Sequence, residues 1–195
     1  MLKKVLACTM FLGAVCALPA TAADDRDVLF KFDGGIGSQP LRAGPVSNIV
    51  GGVAPGGVPW PIRSLKAVIR TDGGIHIAVK GILLGGTDNI GTRGGPRKLV
   101  VSLFCCGPIV PPAVAGPLVT ASYNSEFVDL DPNGNFKLDS VLTNASGATP
   151  PAECGDTIDN RPVLLVRTVT AATATPPSAP SSWFAAGILK AGTDD

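Results

Sequence analysis

The chain is poor in the side chains that carry most enzyme chemistry. It has one histidine, His76, and two glutamates, Glu126 and Glu153, and aromatic residues make up 5% of its 195 residues. A Ser-His-Asp mechanism needs a histidine with a positioned nucleophile and carboxylate, and no such arrangement is visible around the single histidine. Histidine-based hydrolysis is therefore a weak hypothesis, and we predict no cofactor.

Neither sign of charge is in excess. Without Lys3 and Lys4, which belong to a predicted leader, 14 basic and 15 acidic side chains remain. The sequence shows no basic stripe and no acidic tail. It therefore implies neither nucleic acid nor an anionic membrane surface as a partner.

Long hydrophobic runs are absent after the N-terminus. Two lysines precede an apolar run over residues 5–18, and Ala20-Thr21-Ala22 forms an A-x-A cleavage site. This pattern predicts a signal peptide, residues 1–22, and export to the periplasm or the extracellular medium of a bacterium. A membrane anchor is the first alternative, but the run is shorter than the ~20 residues that span a bilayer. A lipoprotein is the second, but Cys8 and Cys16 are poorly placed for lipidation.

Glycine and proline are abundant, with 24 and 18 residues, and hydrophobic residues make up 45% of the chain. This composition favours short strands joined by many turns over disorder. We predict one all-β domain, residues 23–195, folded as an antiparallel β-sandwich of about 7–9 strands with long Gly/Pro-rich loops. An open β-barrel is the alternative. A flexible loop is expected at about 170–182, with a short polar tail at the C-terminus.

The longest apolar run of the mature chain covers residues 99–106 and ends in Cys105 and Cys106. Alternation along a strand directs Cys105 into the core and Cys106 to the other side. Three mature cysteines in an oxidising compartment predict one disulfide and one remaining thiol. Cys154 pairs with Cys105 or Cys106, and we favour Cys105. Cys106 is then a free thiol or an intermolecular cross-link; a metal or redox site is less well supported without a C-x-x-C motif.

Two stretches have the pattern of hairpins. Residues 65–70 and 75–84 alternate around Asp72-Gly73, which is a strong hairpin signal. His76 falls on the outward, lysine-bearing side of that pair, as an exposed strand residue. Residues 128–139 form a second predicted hairpin around Pro132-Asn133-Gly134.

The second turn also begins like a calcium-binding loop. Asp129, Asp131 and Asn133 occupy positions 1, 3 and 5 of such a loop, and Gly134 occupies position 6. Position 12 is Ser140 in place of the bidentate glutamate, so we interpret the stretch as a tight turn. It remains the weak metal candidate of the chain.

Binding candidates lie in the loops at 33–61, 85–98 and 108–117, because loops on a rigid scaffold commonly carry binding residues. Trp60, between Pro59 and Pro61, is the candidate aromatic anchor in the first of them. A tryptophan that caps the core is the alternative interpretation of the same residue.

Several motifs together resemble those of small exported bacterial proteins of unknown function. They are Gly56-Gly57-Val58-Pro59-Trp60-Pro61-Ile62, Asp72-Gly73, Gly81-Ile82-Leu83-Leu84, Leu103-Phe104-Cys105, Pro132-Asn133-Gly134-Asn135-Phe136, Cys154, Pro162-Val163-Leu164-Leu165-Val166-Arg167 and Trp183-Phe184-Ala185-Ala186-Gly187-Ile188. The resemblance implies a β-rich exported domain with one cysteine in each of two places. This chain departs from it by doubling the first cysteine, and the resemblance implies no activity.

The sequence thus favours a non-catalytic exported protein that binds a protein or glycan of the envelope or the surroundings. A carbohydrate- or small-ligand-binding module is the first alternative, although the chain has few aromatic platforms. A hydrolase using Asp129, Asp131 or Asp139 is the second, because paired carboxylates can act as acid and base when they share a cleft.

Overall fold

The computed structural model describes residues 27–40, 42–43, 46–95, 97–105, 122–155, 161–169 and 180–190, with the backbone alone at 42–43, 46–47 and 180. The predicted signal peptide, Cys106, the candidate loop at 108–117 and most of the predicted flexible loop lie outside these ranges. Within them, no helix is long and apolar enough to cross a membrane.

The described residues form eleven β-strands and no α-helix. The strands are β1 (Val28–Gly37), β2 (Arg42–Ala43), β3 (Val46–Ser47), β4 (Ser64–Arg70), β5 (Gly74–Lys80), β6 (Lys98–Phe104), β7 (Ser122–Asn124), β8 (Val128–Asp129), β9 (Phe136–Val141), β10 (Val163–Val169) and β11 (Pro180–Leu189). The prediction of an all-β chain is confirmed.

Nine strands make one antiparallel sheet with the order β7-β6-β10-β11-β1-β4-β5-β9, and β8 also pairs with β6. The first and last long strands of the chain are neighbours, since β11 pairs with β10 on one side and with β1 on the other. This continuity makes one curved sheet, the open-barrel alternative, in place of two separate sheets packed face to face.

The two edges of the sheet nearly meet. Asn124 of β7 and Thr143, which follows β9, exchange two backbone hydrogen bonds of 2.8 and 3.0 Å. The inward side chains of these strands pack together in the interior of the barrel. They include Phe32, Leu65, Ile69, Ile77, Leu99, Val101, Leu103, Leu164 and Val166. Burial of each large side chain stabilises the fold by about 1.5–3 kcal/mol.

A second, smaller core lies on the outer side of β6, β10 and β11. Phe104, Leu165 and Trp183 pack there with Val53. The Trp183 indole N–H donates to the carbonyl of Asn48 at 3.2 Å. Part of the predicted glycine-rich loop therefore covers a face of the sheet, which explains why β6 is buried on both sides.

A disulfide joins Cys105 to Cys154, the pairing that the sequence favours. Both cysteines are buried in the main core, as the alternation of β6 predicts for Cys105. The bridge spans a sequence separation of 49. Closure of a loop of that size stabilises a fold by about 4 kcal/mol in the chain-entropy model.

The hairpin of β4 and β5 forms around the predicted turn, and β5 ends at Lys80, four residues before the predicted end at 84. Ile69 faces Ile75 across the turn, and the Asp72 carboxylate accepts the backbone N–H of Gly74 at 2.8 Å. Gly73 has φ +84°, a backbone conformation that glycine adopts without strain.

The prediction of a second hairpin is wrong, because its two strands do not pair with each other. β8 pairs with β6, so that Val128 faces Leu99, while β9 pairs with β5. The turn between β8 and β9 exists, but its two strands leave it toward different partners. The physical reason is that both β5 and β6 present open edges at this point, and long-range pairing with them replaces the local ladder.

Candidate functional site

Both carboxylates of the weak metal candidate have partners within the protein. Asp129 forms an ion pair with Lys98, with N–O distances of 2.9 and 3.1 Å. Asp131 accepts the backbone N–H groups of Asn133 and Asn135, both at 2.8 Å. Asn135 in turn accepts the backbone N–H of Gly81 at 3.0 Å and so ties the turn to the end of β5.

The hydrogen bonds to Asp131 lower the pKa of its carboxyl group. The backbone N–H of Asn135 is the largest influence, and it lowers the pKa of the Asp131 carboxyl. Hydrogen bonds to a carboxylate favour the ionised form. The arrangement is that of an Asx-type turn. Among the described residues, no group of three or more His, Cys, Asp or Glu side chains could hold a metal ion.

Trp60 caps the core, which is the alternative interpretation of this residue, and does not form an exposed anchor. Its side chain is 2% exposed and stacks on Phe184 with a centroid distance of 4.1 Å. Phe184 is also buried, at 3% exposure, so Trp60 does not project from the surface as an aromatic anchor would. One edge of the indole lines a depression of about 340 Å³, beside Arg97, at the barrel end where β6 and β11 begin.

A different surface gathers most of the lysines that follow the predicted signal peptide. Six lysines follow residue 22 in the sequence, and five of them lie on the outward side of neighbouring strands. We call this surface the basic face; its lysines are Lys31 on β1, Lys66 on β4, Lys80 on β5, Lys137 on β9 and Lys190 directly after β11.

Strand alternation and register place the five lysines on this face. Each strand lysine is exposed and alternates with a buried neighbour that points into the barrel. Lys66 faces Ala78, which faces Lys137. Lys190 lies beside Lys31, since its backbone N–H donates to the Lys31 carbonyl at 2.8 Å.

The basic face also has two carboxylates and the single histidine. Asp33 lies 3.8 Å from the ammonium of Lys66. His76 Nδ1 lies 2.5 Å from a carboxylate oxygen of Asp139, and both side chains are well exposed. Arg70 is also exposed on the outward side of β4, opposite Val28 of β1. Five lysines, Arg70 and two aspartates give the face a net charge of +4 with His76 neutral.

A shallow depression of about 350 Å³ runs across the middle of the basic face. Its floor contains Val68 and Ala78, and its rim contains Lys31, Lys66 and Lys190. The lysines extend over five adjacent strands, from β11 to β9. At ~4.8 Å between strands, they cover about 19 Å of surface. The arrangement offers a long row of cations beside a small-residue floor.

The sequence predicted only part of this surface. The β4–β5 hairpin pattern placed Lys66 and Arg70 of one strand on the same outward side as His76 and Lys80 of the other. Lys31, Lys137 and Lys190 lie far away in sequence, and only the strand order brings β1, β9 and β11 beside the hairpin. The nearly equal numbers of basic and acidic residues therefore gave no sign that the fold would place five lysines on one face.

Comparison of the chain with family models, with curated proteins and with solved structures gave no match. Function therefore has to be inferred from the geometry and the charge of the molecule itself.

Proposed function

We propose that the protein is an exported, non-catalytic binding protein, and that its basic face holds an acidic polysaccharide of the cell envelope or its surroundings. The observation that carries the proposal is the placement of five of the six mature lysines on one side of the barrel. The predicted mature chain has slightly more acidic than basic side chains, so this side differs sharply from the molecule as a whole.

The shape of the face supports an extended ligand. Lysines over about 19 Å can contact several charges of one polymer at once. Each contact on an exposed surface is weak, and several together give useful affinity through multiple contacts. A polysaccharide with repeated carboxylates fits a row of cations beside a floor of Val68 and Ala78.

Export is supported by the predicted signal peptide and by the chemistry of the cysteines. The Cys105–Cys154 disulfide fits an oxidising compartment. The envelope and the medium are also where acidic polysaccharides are met.

A binding role without catalysis is supported by what the candidate acid–base groups do in the fold. Asp131 accepts backbone N–H groups in a turn, and Asp129 pairs with Lys98. Asp139 pairs with His76 on the open outer surface. These carboxylates thus serve a turn and two surface pairs.

The proposal is tested by titrating the mature chain, residues 23–195, with polygalacturonate and with neutral dextran. Polygalacturonate is expected to bind and dextran is not. Loss of one lysine near an anionic surface costs about 1 kcal/mol. A Lys66→Gln/Lys137→Gln variant is therefore expected to bind polygalacturonate about tenfold or more weakly. Added salt is expected to weaken binding by the wild type, because screening acts on exposed charges.

The matched control removes the same number of charges outside the basic face. Lys98→Gln/Arg161→Gln is expected to keep wild-type affinity for polygalacturonate. Equal losses of affinity for polygalacturonate in the two double variants would contradict the assignment of the basic face as the binding surface. Binding to phosphatidylglycerol vesicles with no binding to polygalacturonate would overturn the polysaccharide in favour of an anionic lipid surface.

A further inference from the structure

The depression beside Trp60 is separate from the basic face. It lies at one end of the barrel, where β6 and β11 begin and β10 ends. Its apolar walls come from Val58, Leu84 and Phe184, and Thr168 and Ser182 add hydroxyl groups at the rim. A volume of about 340 Å³ is within the range of small-molecule sites.

Arg97 provides the positive charge in this depression. Its guanidinium lies 4.9 Å from the centroid of Trp60 and 5.4 Å from that of Phe184. Two of its N–H groups donate to backbone carbonyls, from Nε to Arg93 at 3.0 Å and from Nη2 to Gly94 at 3.3 Å. The backbone and the aromatic pair thus fix the orientation of the guanidinium.

The charge of Arg97 has no carboxylate partner among the side chains that the structure describes. The guanidinium is half-buried, and this burial lowers its pKa. A partly desolvated charge is costly when it is not paired. The guanidinium also has N–H groups beyond the two that the backbone uses, arranged in the planar fork that matches a carboxylate.

We infer that this depression binds a small organic carboxylate with an apolar body. The carboxylate accepts N–H groups of Arg97, and the apolar body lies against Val58, Leu84 and the edge of the aromatic pair. This inference does not depend on the basic face, because none of the five lysines lines the depression.

The two tryptophans of the chain provide an internal test by NMR. Trp60 lines the depression, whereas Trp183 packs in the outer core. Phenylpropionate is expected to shift the indole N–H resonance of Trp60 and to leave that of Trp183 in place, the two being assigned with Trp183→Phe. The neutral amide, phenylpropionamide, is expected to bind about tenfold or more weakly, because it cannot form a charge-assisted pair.

Variants separate this site from the basic face. Arg97→Gln is expected to lower the affinity for phenylpropionate about tenfold or more, while Lys66→Gln/Lys137→Gln is expected to leave it unchanged. Equal binding of acid and amide by the wild type, or an unshifted Trp60 resonance, would overturn the inference even if Arg97→Gln fails to fold. Loss of binding in the lysine variant with retention in Arg97→Gln would assign the ligand to the basic face and overturn it as well.

Discussion

The Asp131 side chain shows how one carboxylate can organise a turn. It accepts two backbone N–H groups and the side-chain amide of Asn135, the latter at 3.2 Å. The backbone N–H of Asp131 also donates to the Asn135 carbonyl at 3.0 Å. Because Asn135 is bonded to Gly81 as well, this turn positions the ends of both β5 and β9.

The lowered pKa of Asp131 makes this turn sensitive to acid. Its folded pKa is below the unfolded value of about 3.9, so its stabilisation is complete above that value and is lost as the pH falls through the folded pKa. Asp131→Asn keeps an oxygen acceptor but does not titrate. We expect the variant to lose less melting temperature than the wild type between about pH 5 and about pH 2.

Asp88→Asn is the control for this comparison, because Asp88 is an exposed loop residue outside the turn. It is expected to keep the acid sensitivity of the wild type. If the melting temperatures of Asp131→Asn and the wild type fell equally on acidification, the Asp131 carboxylate would not contribute to the acid sensitivity of the fold.

At the scale of elements, β1 shows why a close crossing needs glycine. The strand ends at Gly37, where a Cβ atom would overlap the Trp60 carbonyl oxygen. The following residue, Ser38, accepts the backbone N–H of Trp60 at 2.9 Å and donates its own to Phe184 at 2.8 Å. Residues 37–38 are therefore held between the Trp60 segment and β11.

Gly37→Ala is expected to destabilise the fold by about 1–3 kcal/mol, the usual cost of forcing atoms into a filled site. Gly57→Ala is the matched control, because a Cβ there meets nothing within 4 Å, and its effect is expected to stay within about 0.5 kcal/mol. Denaturant unfolding of both variants measures the difference. Equal stabilities would mean that β1 can move away from Trp60 at little cost.

The elements also show where sequence patterns suffice and where they do not. The β4–β5 hairpin was predictable because its signals are local: alternation and an Asp-Gly turn. The partner of β8 was not predictable, because β6 lies about thirty residues earlier in the chain. The turn at Asp131 is compatible with β8 pairing with β9 or with β6. β1 continues through Gly34 and Gly35 by a bulge, whereas glycine pairs in sequence usually indicate a strand end.

At the scale of the molecule, β11 decides the architecture. It joins the C-terminal β10 to the N-terminal β1, and the resulting curved sheet assembles both candidate sites from distant segments. The all-β class followed from composition, but the basic face required the strand order. The Arg97 depression required tertiary packing as well, since Trp60, Arg97 and Phe184 belong to three separate stretches.

The most direct test of the proposed function is lysine acetylation of the folded mature chain, with and without polygalacturonate, read out by mass spectrometry. The polymer is expected to slow acetylation of Lys31, Lys66, Lys80, Lys137 and Lys190. Lys98, which lies outside the basic face and pairs with Asp129, is expected to react at the same rate in both samples. Uniform protection of all six lysines, or protection of none, would contradict binding through the basic face.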